Sequence, residues 1–151
     1  MANKIVAKDV GLLVLRIALG LTMLYFGSQK VFGLFGGQGY GATVEMMNSK
    51  MGIPVVFAHL GILGEFAGGL GVLAGCLTRV AAFGVACTMA VATFISAKGP
   101  GVLGGIFSGS PGADASKLFF PAILCSVAIS LIIMGPGLLS VDQKFIWKAK
   151  R

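Results

Sequence analysis

Residues 61–79 read GILGEFAGGLGVLAGCLTR. Gly61 to Gly75 are Gly, Ala and large apolar residues except for one carboxylate, Glu65. The run extends upstream to Ile53, and a second apolar run begins at Val80 and continues to Ala97. A helix crossing the roughly 30 Å hydrocarbon core of a bilayer needs about 20 such residues. Two crossings joined only by the Cys76–Arg79 link have to form an antiparallel hairpin.

Two further apolar runs, 10–29 and 118–134, complete a set of four spans. The expected fold is an all-α integral membrane protein, a four-transmembrane-helix bundle in which 1–151 form a single membrane domain. The composition agrees: 151 residues, 56% hydrophobic and 11% charged, with a mean hydropathy of +0.94, exclude a water-facing globule. The net charge of +7 does not point to nucleic acid, because the basic residues are scattered at the ends of apolar runs. They read as topology signals. Lys4, Lys8, Arg79, Lys144, Lys148, Lys150 and Arg151 fall on one side of the four-span arrangement, and Lys30, Lys50, Lys98 and Lys117 on the other. By the positive-inside bias both termini are expected in the cytoplasm, with loops 36–52 and 98–117 on the other side. The first span is expected to be retained, since it lacks a small-residue cleavage signal and carries Arg16.

The connections differ in character. Lys30 to Gly33 ends the first span with a basic residue and Gly at the interface. An apolar-polar pattern from Thr43 to Met51 suggests a short interfacial helix before Pro54 opens the second span. Lys98 to Lys117 is Gly-rich and too polar to span; a loop of that length serves as a lid, a re-entrant cover or a docking surface. Gly135-Pro136-Gly137 breaks the fourth helix. Glycines at small-xxx-small spacing, such as Gly64 with Gly68 and Gly71 with Gly75, point to close helix packing.

Arg16 and Glu65 stand alone on apolar segments, each on a face of small residues. A charge at that depth costs on the order of 2.5–3.5 kcal/mol on insertion scales and normally faces the bundle with a partner. Counting from the cytoplasmic ends of their spans puts Arg16 roughly 9 Å deep and Glu65 roughly 15 Å deep, a difference that the Arg side chain covers. They are therefore expected to form a buried charge pair. Such a pair either fixes how the hairpin docks on the first span or lines a head-group pocket or proton path. His59, near Tyr25 or Lys30, is a candidate for proton exchange or a hydrogen-bonded structural residue. Asp142 follows the helix break on the side where Arg79 enters the membrane, and the two are expected to form a cytoplasmic clasp. Met46, Met47 and Met51 lack a neighbouring Cys or His, and no metal site is expected. Cys76, Cys87 and Cys125 form no C-x-x-C pair and read as small packing residues.

Three stretches resemble the DoxX family. RIALGLTMLYFGSQKVFG (16–33) is similar to its first-span motif, GEFAGGLGVLAGCLTRVAA (64–82) to its second, and GPGLLSVD (135–142) to its C-terminal ending. The matching positions are Arg16, Gly20, Gly27, Lys30, Gly33, Glu65, Gly68, Gly69, Gly75, Thr78, Arg79, Gly135, Ser140 and Asp142. The resemblance implies a four-helix protein of a bacterial-type inner membrane, described as an oxidoreductase or as a subunit of a quinone-linked enzyme such as thiosulfate:quinone oxidoreductase. No haem-ligating His pair, flavin motif or iron–sulfur Cys pattern is present, so no cofactor is evident in the chain itself. Redox work would need a bound quinone and protein partner subunits. The leading expectation is thus a membrane component of a quinone-linked redox system that binds a quinone or similar ring-headed lipid near Arg16 and Glu65. The alternative is a non-catalytic accessory subunit packed on a larger membrane protein complex. Passage of a small solute or ion is a weaker reading, since no internal repeat is visible.

Overall fold

The computed structural model describes residues 7–98 and 114–144; most of the Lys98–Lys117 loop and the two basic ends of the chain lie outside the described residues. All regular structure among the described residues is helical. α1 (Ala7–Phe32) is followed by a short 3-10 turn (Leu34–Gly36), α2 (Tyr40–Ser49), α3 (Val55–Ala74), α4 (Thr78–Lys98) and α5 (Ser116–Met134). The four long helices α1, α3, α4 and α5 are long and apolar enough to cross a membrane. α2, with 10 residues, spans only about 15 Å and packs on α3.

The bundle is a ring. α1 packs on α3, α3 on α4 and α4 on α5, and a lighter contact between α5 and α1 closes it. The start of α1 and the segment after α5 meet at one end of the bundle, where the Leu138 N–H donates to Asp9 Oδ1 at 2.9 Å. This is the terminal end of the bundle, and α2 lies at the opposite end.

Inside and outside follow bilayer logic. Large apolar side chains such as Val56, Leu60, Phe83, Ile123 and Ile133 project outward, whereas the interior is built from Leu12, Leu19, Met23, Val72, Ala82, Val85, Ala128 and Leu131. Lipid tails are as apolar as Leu, so helix association relies on close packing over small residues. The α1–α3 contact depends on it. A Cβ at Gly20 would lie 2.7 Å from Leu73 Cβ, one at Gly27 would lie 2.9 Å from Phe66 Cα, and one at Gly69 would lie 2.9 Å from Met23 Cβ.

The α3–α4 hairpin turns within Gly75–Leu77. Gly75 takes a left-handed conformation (φ 69°), its N–H bonds to Val72 O, and the Cys76 N–H bonds to Gly71 O. These are the two hydrogen bonds of a Schellman ending, in which Gly escapes the Cβ clash.

Gly20→Val is expected to cost about 1–3 kcal/mol by overpacking. Gly41→Ala on α2, where an added Cβ meets nothing within 4 Å, should leave stability within about 0.5 kcal/mol or raise it. Unfolding of the two variants in the same detergent separates these outcomes.

Candidate functional site

The polar residues of the bundle gather in two places. At the terminal end, Arg16 is 2% exposed and is bound by main-chain carbonyls rather than by a carboxylate. Its Nε donates to Val72 O at 3.1 Å and its Nη2 to Leu73 O at 3.1 Å, while Nη1 donates to Pro136 O at 3.0 Å and Leu139 O at 2.7 Å. Val72 and Leu73 lie in the last turn of α3, where helical carbonyls lack intrahelical partners and the helix dipole favours a cation. Pro136 and Leu139 belong to the irregular segment after α5. Arg16 therefore closes the end of α3 and fastens the chain's C-terminal segment to it. Gly75 makes room, because a Cβ there would overlap the guanidinium.

Asp142 completes the same knot. Its backbone N–H bonds to Gly75 O at 2.9 Å, and its carboxylate accepts from the N–H groups of Leu77 (2.7 Å) and Thr78 (2.9 Å) and from the Thr78 hydroxyl (2.8 Å). The carboxylate of a residue far along the chain thus caps the start of α4. Burial opposes its ionisation, but the hydrogen bonds from Thr78 and Leu77 and the nearby Arg16 charge outweigh that and hold its pKa below the ordinary carboxylate range. Ser140 fixes the approach: its hydroxyl donates to Gly137 O at 2.9 Å and accepts from the Gln143 N–H at 3.2 Å.

The second cluster lies towards the opposite end. Lys30 reaches back from the last turn of α1 and places its Nζ on both carboxylate oxygens of Glu65. The Glu65 side chain is 8% exposed and that of Lys30 is 31% exposed, so the pair is closed on the acid side and open on the lysine side. Aromatic contacts join residues that neighbour the pair in sequence. Phe32 meets Phe66 edge to face at 5.4 Å, and Tyr25 contacts Phe26 at 5.3 Å and Phe35 at 5.1 Å. Glu65 sits about 15 Å from the start of α3 and about 13 Å from its end, near the middle of a span.

This arrangement corrects the expected Arg16–Glu65 pair. Gly20 faces Leu73, Gly69 faces Met23 and Leu24, and Gly27 faces Phe66. In that antiparallel register Arg16 stands level with the end of α3, and Glu65 stands level with Ser28, about 18 Å further along α1. Depths counted from the ends of apolar runs assumed that the two spans begin in one plane; α1 instead overruns the end of α3 by more than two turns.

The Arg79–Asp142 clasp is corrected in its partner: the clasp exists, but Asp142 holds the amides of Leu77 and Thr78, and the Arg79 guanidinium lies over Gly135. His59 is not brought to Tyr25 or Lys30. Its Nδ1 is hydrogen-bonded to the Tyr40 hydroxyl, and the two rings stack at 5.4 Å and 16°. The sequence reading missed Asp9 and the carbonyls of Val72, Leu73, Pro136 and Leu139; main-chain acceptors leave no mark in a side-chain pattern.

The motif positions spread over three segments of the chain thus meet in two clusters, Arg16, Gly75, Thr78 and Asp142 in one and Lys30 with Glu65 in the other. The family model described as DoxX matches residues 11–98, more than half of the chain. The chain belongs to the DoxX family. A relative from Escherichia coli (strain K12), named inner membrane protein YqjF, is 31% identical over 137 residues, covering 90% of this chain and 92% of the relative. No solved structure matches. With its four apolar helices, this DoxX-family chain is a multi-pass inner-membrane protein.

The lowered pKa of Asp142 sets a direction for acid sensitivity. A carboxylate with a depressed folded-state pKa contributes stability that is present above its unfolded value, near 3.8, and is lost as the pH falls through the folded value. Asp142→Ala should cost about 1 kcal/mol at neutral pH, the usual worth of an N-cap. Its deficit relative to wild type should shrink on acidification below about pH 4, as read by detergent unfolding curves over a pH series.

Proposed function

We propose that this DoxX-family chain is a membrane component of a quinone-linked redox system, holding a quinone or similar ring-headed lipid beside Lys30 and Glu65 and acting with partner subunits. One observation carries the reading: an ion pair near mid-membrane depth is shut on its carboxylate and one-third open on its lysine. Arg16 offers nothing comparable, because its hydrogen bonds are made to main-chain carbonyls inside the fold. An intramembrane ionisable pair that is not consumed in this way is the natural place for ligand chemistry.

The residues suit the ring of such a lipid. Lys30 offers an N–H to a ring oxygen, Glu65 holds the compensating charge, and the exposed Phe32, packed on Phe66 next to Glu65 in sequence, provides apolar ring surface. A quinone, when bound, supplies reversible uptake of two electrons and two protons; the electrons come from a partner subunit. The rival reading is an accessory subunit, and the internal satisfaction of Arg16 and Asp142 favours it, since the fold itself holds those two charges.

The two readings separate on bound lipid. Protein purified from membranes in mild detergent is expected to carry quinone, with Glu65→Gln and Lys30→Gln reducing the amount several-fold and Asp142→Asn leaving it unchanged. If the wild type carries no ring-headed lipid, does not exchange with added quinone, and is found in a larger complex whose activity survives Glu65→Gln, the accessory reading replaces this one.

We infer further that the terminal end faces the cytoplasm, supported by the seven-to-four distribution of basic residues. In a background lacking Cys76, Cys87 and Cys125, Gly41→Cys on α2 should react with a membrane-impermeant thiol reagent from outside the inner membrane. Labelling only from the cytoplasmic side would invert the topology.

A further inference from the structure

A second feature of the terminal end adjoins the Arg16 knot at Pro136. A cavity of about 370 Å³ opens between the start of α1, the start of α4 and the segment after α5. Lys8 and Arg79 stand at its rim, Leu12 and Met134 form its apolar wall, and Gly135 and Gly137 contribute floor without side chains. Both glycines have positive φ (79° and 75°), so the chain bends there without a side chain at either position. The Arg79 guanidinium extends across Gly135, where an added Cβ would approach it to 3.5 Å.

The charges are unequal. Lys8 and Arg79 are both exposed, and no ion pair joins either to a carboxylate among the described residues. Asp9, which also lines the cavity, is 8% exposed and is engaged by the Leu138 N–H. Two cations at helix ends, above an apolar wall that continues into the outward-facing Met134 and Ile133, match an amphiphile with an anionic head and hydrocarbon tails. We propose that this cavity is a binding site for the phosphate head group of an anionic phospholipid, with Lys8 and Arg79 as its phosphate ligands and its acyl chains running down the α1–α5 side of the bundle.

A phosphodiester fits the pair. Arg79 offers a planar fork to two phosphate oxygens, and Lys8 adds a mobile point charge from the other rim. The knot beneath holds the cavity floor in place through the Arg16 hydrogen bonds to Pro136 and Leu139. This lipid is distinct from the ring-headed one proposed at Lys30 and Glu65, which lies towards the other end of the bundle, and neither proposal depends on the other.

The test places the full chain in nanodiscs of phosphatidylethanolamine with or without phosphatidylglycerol. Native mass spectrometry then counts the lipids retained on release. The wild type is expected to retain phosphatidylglycerol in preference to phosphatidylethanolamine and to unfold at a higher temperature when it is present. The Lys8→Gln/Arg79→Gln variant should lose the preference by about thirtyfold, given the usual worth of two interfacial cations. Lys98→Gln/Lys117→Gln, at the opposite end, should keep it. Equal retention of both lipids by the wild type would overturn the proposal without need of a variant. So would an unchanged preference in the Lys8/Arg79 variant, or stabilisation by inorganic phosphate in detergent as large as that by phosphatidylglycerol, which would make the cavity a free-anion site.

Discussion

A guanidinium carries five N–H donors and no acceptor, so burying one in a membrane bundle demands several oxygens converging from fixed directions. Arg16 obtains them from two pieces of main chain distant in sequence, the last turn of α3 and the segment after α5. The rest of the terminal end is arranged around that requirement. Gly75 lacks a side chain where the guanidinium lies, and the post-α5 segment folds back so that its carbonyls face inward. Asp142 arrives at the hairpin turn as a consequence and caps α4. A carboxylate partner would have balanced the charge of Arg16, but carbonyls at a helix C-terminus also match its many donors while adding the favourable field of the helix end.

The same economy of side chains governs the α1–α3 contact. Close approach over Gly20, Gly27 and Gly69 brings the two backbones near enough for the register to be fixed by contact rather than by side-chain bulk. That register carries Arg16 to the end of α3 and leaves Glu65 level with Ser28. Glu65 then lies within reach of Lys30, whose flexible stem turns back from the end of α1 to neutralise it. One interface thus produces two polar centres of different character, one closed by main chain and one partly exposed on its lysine.

These differences bear on function. A buried charge saturated by structural hydrogen bonds holds a fold together; a charge whose partner remains partly open retains capacity for a ligand. The family motif spans both, which explains why residues far apart in sequence belong to it without forming one site. The terminal end carries exposed cations beside glycine main chain, and the Lys30–Glu65 pair lies towards the other end.

The sequence by itself determined the membrane class, the four helices and the hairpin, because apolar length and a four-residue link leave few alternatives in a bilayer. It also marked Arg16, Glu65, Lys30, Arg79 and Asp142 as the residues to watch, since a charge in or beside an apolar run is costly. Their partners were decided by tertiary structure alone. The offset of α1 against α3 depends on which glycine meets which backbone, and that information is not local. The acceptors of Arg16 and the donors to Asp142 are main-chain groups, which every residue carries and no sequence pattern distinguishes. His59 found Tyr40 for the same reason: α2 folds back on α3, and only that packing sets the neighbours of a residue on α3.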